Sequence, residues 1–95
     1  MEQLNILEQY LKEKGIKYQR IDKTRAENFG IDRHQIIVPC GGDDFEWDVI
    51  CHMGSYGYEK GLLELYGNLV DEEKDGDSVV GWLTAKDVID RIEAK

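Results

Sequence analysis

An apolar stripe with helical spacing opens the chain. Its members lie three or four residues apart: Leu4, Leu7 and Leu11. Such spacing puts side chains on one face and predicts an amphipathic helix over residues 2–14. Gly15 suits the end of this helix, where the backbone often takes a positive φ.

In the middle of the chain, apolar and polar residues alternate instead of following the helical period. Segments 16–21, 33–38 and 45–52 each alternate as half-buried strands do. The polar stretch 22–32 between the first two predicts a loop. The glycines and aspartates of residues 40–44 predict a turn between the second and third strands.

Hydrophobic matching sets the register of the hairpin made by the second and third predicted strands. A turn centred between Gly42 and Asp43 gives one face these side chains: His34, Ile36, Val38, Trp47, Val49 and Cys51. The other face then carries Gln35, Ile37, Asp48, Ile50 and His52. A slip of one residue would mix the two sets, so the pattern determines which residues share a face.

The third strand is followed by a glycine-rich loop and an apolar segment. Residues 54–61, GSYGYEKG, interleave three glycines with two tyrosines. The next stretch, LLELYG at 62–67, predicts a short helix that begins near Tyr58 and ends at Gly67.

The last quarter of the chain predicts an exposed turn and a final helix. Residues 71–78 are acidic and predict the turn, and the apolar segment 79–83 leads into the last helix, with a short strand left open there. Thr84 with Asp87 three residues later is close to a capping box. A helical stripe follows: Ala85, Val88, Ile89 and Ile92.

Together these elements predict one α+β domain over residues 1–95. Its order is α-β-β-β-α-α, in two layers, with a three-stranded antiparallel sheet packed against helices. The sequence contains no internal repeat and no shift in composition that would mark a second domain.

The net charge of the chain favours some classes of partner over others. The chain of 95 residues has a formal net charge of −8, with 41% hydrophobic and 34% charged residues. Repulsion by phosphates disfavours direct binding of nucleic acid, whereas a basic protein would be attracted. The N-terminus lacks a signal-peptide pattern and no apolar run is long enough for a membrane span, which predicts a cytoplasmic protein.

Cysteine and histidine are the candidates for chemistry. The hairpin register places His34 opposite Cys51, and a thiolate beside an imidazole is the minimum for a nucleophilic enzyme. Cys51 follows the apolar face, however, which is typical of a core cysteine. The spacings among His34, Cys40, Cys51 and His52 do not fit a zinc site, and Cys40 and Cys51 are predicted too far apart for a disulfide. The sequence therefore predicts no catalytic residue and no metal.

The glycine loop and the acidic turn also lack complete ligand motifs. GSYGYEKG precedes a predicted helix but matches neither the dinucleotide nor the P-loop pattern. The acidic turn resembles the start of a calcium loop, but its twelfth position is Trp82 instead of glutamate. We therefore predict no cofactor. Exposed aromatic residues favour contact with proteins, and the candidate interaction surface is Gly54, Ser55, Tyr56, Gly57, Tyr58 and Lys60.

Two resemblances accompany this pattern. The α-β-β-β-α order is similar to the double-stranded RNA-binding fold, but the basic helix and loop of that fold are missing. The segments RHQIIV, WDVICHMGSYGYEKGLLELYG and DSVVGWLTAKDVIDRI, within residues 33–92, resemble a family of small bacterial proteins of unknown activity, some carried on mobile elements or prophages. That resemblance implies a bacterial, cytoplasmic, accessory protein and brings no catalytic residues.

Four functional hypotheses follow. The first is a small, acidic, non-enzymatic interaction module with an unknown protein partner, for which a basic protein is the candidate; a homodimer is left open. The second is an inhibitor of a basic DNA- or RNA-handling protein that mimics nucleic acid through the acidic turn and the carboxylates of Asp87, Asp90 and Glu93. The third is an enzyme that uses Cys51 and His34. The fourth is a sensor that holds a small ligand around residues 54–61.

Overall fold

A computed structural model describes residues 2–26, 30, 32–39, 45–52 and 54–94. They form an α+β fold with a five-stranded antiparallel sheet whose strands lie in chain order, β1-β2-β3-β4-β5. The strands are β1 Gln19–Lys23, β2 Arg33–Val38, β3 Trp47–Ile50, β4 Leu63–Gly67 and β5 Val79–Leu83. The helices are α1 Glu2–Lys14, the single-turn α2 Glu72–Asp75 and α3 Ala85–Glu93.

Helices α1 and α3 lie side by side against one face of the sheet. The helical side of the core is made by the predicted apolar stripes, with Leu4, Leu7, Leu11, Ala85 and Val88 all buried. The sheet side is made by alternate residues of the strands: Ile36, Val38, Trp47, Val49, Cys51, Leu63, Leu65 and Leu83. The predicted two-layer arrangement is confirmed, because each layer presents its apolar face to the other.

The predicted hairpin register is also confirmed. Ile36 pairs with Val49, and Val38 pairs with Trp47. Beyond the ladder, the backbone N–H of Cys51 donates to the carbonyl of His34 over 3.0 Å, so these residues are opposite each other as expected. The turn predicted at 40–44, including Cys40, lies outside the described residues.

The number of strands was predicted wrongly, and LLELYG is the main reason. Residues 63–67 form strand β4 instead of a helix, and Val49 of β3 pairs with Leu65. Only a 3₁₀ turn, Tyr58–Lys60, precedes this strand. Leu63 and Leu65 face the core while Glu64 and Tyr66 face away, which is the period of two that a strand requires.

Strands β1 and β3 and the acidic turn also differ from the prediction. Strand β1 is Gln19–Lys23 instead of 16–21, which shortens the predicted loop. Strand β3 stops at Ile50, and the acidic turn contains the short helix α2, capped by Asp71. The short strand left open at 79–83 is present as β5 and belongs to the sheet, which the predicted three-stranded sheet did not include.

The final helix begins as predicted. The Thr84 hydroxyl accepts the N–H of Asp87, and the Asp87 carboxylate accepts the N–H of Thr84, so the capping box is complete. Both bonds satisfy donors that the first turn of a helix leaves free. This helix carries Arg91, which ties the acidic segment to the domain.

Arg91 makes a two-pronged ion pair with Asp75 of α2. Its two terminal nitrogens lie 2.9 and 3.0 Å from the carboxylate oxygens, and one of them also donates to the Leu69 carbonyl. Paired donors from a guanidinium stabilise the charged carboxylate strongly. The hydrogen bonds from Arg91 lower the pKa of Asp75 from 3.8 to about 2.

This pair predicts a loss of stability in acid. The pKa of Asp75 is lower in the folded chain than in the unfolded chain, so its contribution is complete above pH 4 and is lost as the pH falls toward about 2. We expect Asp75→Asn to cost about 1 kcal/mol at neutral pH and to flatten the pH dependence in that window. Urea unfolding at several pH values measures both effects. Glu73→Gln, which removes a charge from the same short helix, should change neither, and an unaltered pH profile in Asp75→Asn would contradict the assignment.

Candidate functional site

The sheet has a second face, opposite the helices, which we call the open face. Its side chains come from alternate positions of the strands: Ile21, Gln35, Ile37, Asp48, Ile50, Glu64, Tyr66 and Val79. In the part of the chain that the structure describes, no helix packs on this face. An uncovered sheet face is the natural place to look for a partner.

Polar side chains form a row across the middle of the open face. Arg33 donates to the Gln35 amide oxygen at 2.6 and 2.9 Å, and the Gln35 amide nitrogen donates to Asp48 at 2.6 Å. Glu64 lies on the next strand, facing the backbone N–H of Tyr56. Burial raises the pKa of both Asp48 and Glu64, and their mutual repulsion adds to the shift of Glu64. Each of these two carboxylates is therefore harder to ionise in the folded protein.

Two aromatic rings stack at the β5 edge of this face. The ring centroids of Tyr56 and Trp82 are 5.3 Å apart with an angle of 21° between the planes. Both side chains are well exposed, Tyr56 at 52% and Trp82 at 59%. Large aromatic groups that face solvent as a stacked pair are typical of interaction surfaces.

A bulge in β5 creates this pair. Between the bridges Leu63–Leu83 and Leu65–Val80, Glu64 of β4 faces two residues of β5, Gly81 and Trp82. Trp82 takes φ = +56°, a left-handed conformation that is costly for a residue with a side chain. Its backbone N–H donates to the carbonyl of Tyr56 over 3.3 Å. Gly81 lies against Tyr56, and a Cβ at this position would collide with the Cβ of Tyr56.

The loop predicted as the interaction surface divides into exposed and structural residues. Gly54, Tyr56 and Lys60 are exposed, whereas Ser55 and Gly57 are buried. The Ser55 hydroxyl donates to the carbonyl of His52 and accepts its N–H. Tyr58 is half-buried with its hydroxyl 3.5 Å from Asp32.

The aromatic partner of this loop, Trp82, was left out of the predicted interaction surface. Trp82 belongs to an apolar segment that resembles core, and its exposure depends on the bulge in β5. The groove along the loop and Trp82 has a volume of about 180 Å³. Small-molecule sites usually need at least about 300 Å³, so the groove gives the ligand-sensor hypothesis no support.

A second exposed aromatic pair lies at the other end of β4. Phe45, before β3, stacks on Tyr66 with 6.0 Å between ring centroids. Their exposed fractions are 42% and 52%. The open face therefore has an aromatic pair at each end of β4, with Glu64 in the same strand and Asp48 directly opposite Tyr66.

Cys51 and His34 lie on the helix side of the sheet. Cys51 is 1% exposed, and burial, with a smaller contribution from Asp32, raises the pKa of its thiol. The two ring nitrogens of His34 lie 2.7 Å from an oxygen of Asp22 and 3.4 Å from an oxygen of Asp32. The thiol is thus kept protonated and the imidazole is held by carboxylates, an arrangement unlike that of an activated cysteine.

Three of the carboxylates assigned to nucleic-acid mimicry have local partners. Asp87 caps its own helix and Asp90 pairs with Lys86 at 3.0 Å. In the acidic segment, Asp75 binds Arg91. A mimic needs free carboxylates at regular spacing, so these pairs give that hypothesis no support.

Comparisons with known proteins add no relative. No family model matches the chain, and no curated protein or solved structure resembles it significantly. The described residues contain no group of three metal-ligating side chains and no helix long and apolar enough to cross a membrane. The resemblance to small bacterial proteins stays a prediction.

Proposed function

We propose that this protein is a non-enzymatic interaction module that binds a basic protein through the open face of its sheet. The observation that carries the proposal is the exposed stack of Tyr56 and Trp82, built by a bulge in β5 beside Glu64. Aromatic anchors with a polar surround are the usual composition of a binding hot spot.

Two features of the open face that lower the stability of the fold support this proposal. A left-handed Trp82 costs about 1–2 kcal/mol relative to glycine. The pKa values of Asp48 and Glu64 are raised because both are partly desolvated, and the charge of Asp48 adds to the shift of Glu64. A partner with positive charge would stabilise both carboxylates, and an apolar contact would cover both rings.

The charge of the chain favours the same class of partner. A net charge of −8 attracts a basic protein at long range and accelerates their encounter. The polar row ends in carboxylates next to Tyr56 and Tyr66, so attraction and apolar contact coincide on this face.

Substitution of Trp82 by glycine tests the proposal without unfolding the protein. Glycine takes φ = +56° without strain, and this relief offsets the loss of the stack on Tyr56, so Trp82→Gly should leave the thermal midpoint nearly unchanged while it removes the exposed ring. The tagged wild-type chain and this variant are used as baits in an extract of the cells that encode it. We expect the main captured protein to be basic and to fall about tenfold or more on the variant bait, as measured by quantitative mass spectrometry.

Ile6→Ser provides the matched control, because Ile6 is an exposed apolar residue on the helix layer. This bait should capture the partner as well as the wild type does. The captured protein is then purified and titrated with all three chains. Equal affinity for Trp82→Gly and wild type, or an equal loss with Ile6→Ser, would refute the proposed surface.

A further inference from the structure

We infer that the groove beside the stacked Phe45 and Tyr66 receives an arginine or lysine side chain of the partner. This inference rests on the proposed function and concerns a different part of the surface from Trp82. The groove has a volume of about 320 Å³, enough for one long side chain, and runs from the aromatic pair to Glu72 of α2.

Close backbone packing builds the groove. Gly67, at the end of β4, has φ = +115° and lies directly on Glu46 and Trp47, leaving no space for a Cβ. The N–H of Asn68 donates to the carbonyl of Glu46 over 2.7 Å, which fixes the chain as it leaves the sheet. Tyr66 is therefore held next to Glu46 by the backbone itself.

Charge distinguishes this groove from an ordinary apolar one. Glu46 and Glu72 both line it, and neither carboxylate has an ion pair or side-chain hydrogen bond with any residue that the structure describes. The described lining includes no lysine or arginine. Asp75, three residues after Glu72, is by contrast paired with Arg91.

The aromatic pair selects the kind of cation. A guanidinium or ammonium gains from lying over an aromatic face, and its aliphatic stem gains from contact with the ring and Val70. A bare metal ion would gain little from two rings, and the described residues contain no group of three metal ligands here. Long cationic side chains of a protein satisfy both the carboxylates and the rings.

A peptide titration tests the inference. The ¹⁵N-labelled full chain is titrated at low salt with a capped pentapeptide of four glycines around one arginine, and with the same peptide carrying neutral citrulline. We expect the arginine peptide to bind about tenfold more tightly, shifting the amide signals of Glu46, Tyr66, Gly67 and Glu72. Similar affinity for the two peptides, no saturable shift, or shifts confined to other residues would overturn the inference.

Matched variants separate the groove from general attraction. Glu46→Gln with Glu72→Gln should reduce arginine binding about fivefold or more, whereas Glu73→Gln, which removes one charge just outside the groove, should leave it nearly unchanged. An equal effect of Glu73→Gln would overturn the inference.

The two proposals can fail separately. If the double variant still binds the basic partner as wild type does, the groove is not the cation site while the open face remains the interaction surface. If the arginine peptide binds as expected but Trp82→Gly has no effect on the partner, the groove stands and the Tyr56–Trp82 surface does not.

Discussion

Replacing Gly67 with alanine is expected to lower the free energy of unfolding by about 3 kcal/mol. At φ = +115° an alanine would be strained, and its Cβ would lie 2.6 Å from the Cα and 2.9 Å from the Cβ of Trp47. Trp47 is buried in the core, so it has no room to move away. Urea unfolding, followed by tryptophan fluorescence, measures the loss.

Gly76→Ala is the control for backbone strain alone. Gly76 also has a positive φ, +76°, but nothing lies within 4 Å of an added Cβ. We expect a cost of about 1 kcal/mol there. If Gly67→Ala lowers the free energy of unfolding no more than Gly76→Ala does, Gly67 does not pack closely on Trp47. The backbone contact that shapes the groove would then be contradicted as well.

Replacing Leu65 with alanine is expected to cause the second large loss of stability. Leu65 is fully buried in the central core, and Leu65→Ala should cost about 3 kcal/mol through lost burial and a cavity. Its neighbour Tyr66 is half exposed on the opposite face, so Tyr66→Ala should cost about 1 kcal/mol, mainly the stack on Phe45.

The contrast between these neighbours tests the strand itself. In β4 the side chains of Leu65 and Tyr66 must point to opposite faces. In the helix that the sequence predicted, they would point only about 100° apart, so a broad apolar face could bury both. Comparable large losses for both substitutions, measured by urea unfolding, would contradict the strand.

The two faces of the sheet differ in the residues that they carry. The helix side of the sheet contains the stable core, including Cys51, and is closed to solvent. The open face contains the row from Arg33 to Asp48 and the two exposed aromatic pairs. Under the proposed function, variants on the open face should alter binding while the fold is kept.

The candidate surface was only partly predictable. Tyr56 could be found because glycines surround it and such loops lie on the surface. The exposure of Trp82 could not be predicted, because a pattern of apolar residues does not show that β5 contains a bulge. The pairing of Phe45 with Tyr66 required the end of β4 to lie beside the start of β3.

Local patterns determined the elements whose signals come from neighbouring residues. The spacing of Leu4, Leu7 and Leu11 and the capping box at Thr84 fixed the two long helices, because helical contacts are local. Hydrophobic matching fixed the hairpin of β2 and β3, because a slip would expose apolar side chains.

Tertiary structure alone decided the identity of β4 and the nature of the open face. LLELYG has apolar residues compatible with a helix or a strand, and pairing with both β3 and β5 selected the strand. That choice extended the sheet to five strands, opposed Glu64 to the bulge at Trp82, and set Tyr66 beside Phe45. Strand pairing joins residues far apart in the chain, so its free energy is not encoded in any short segment.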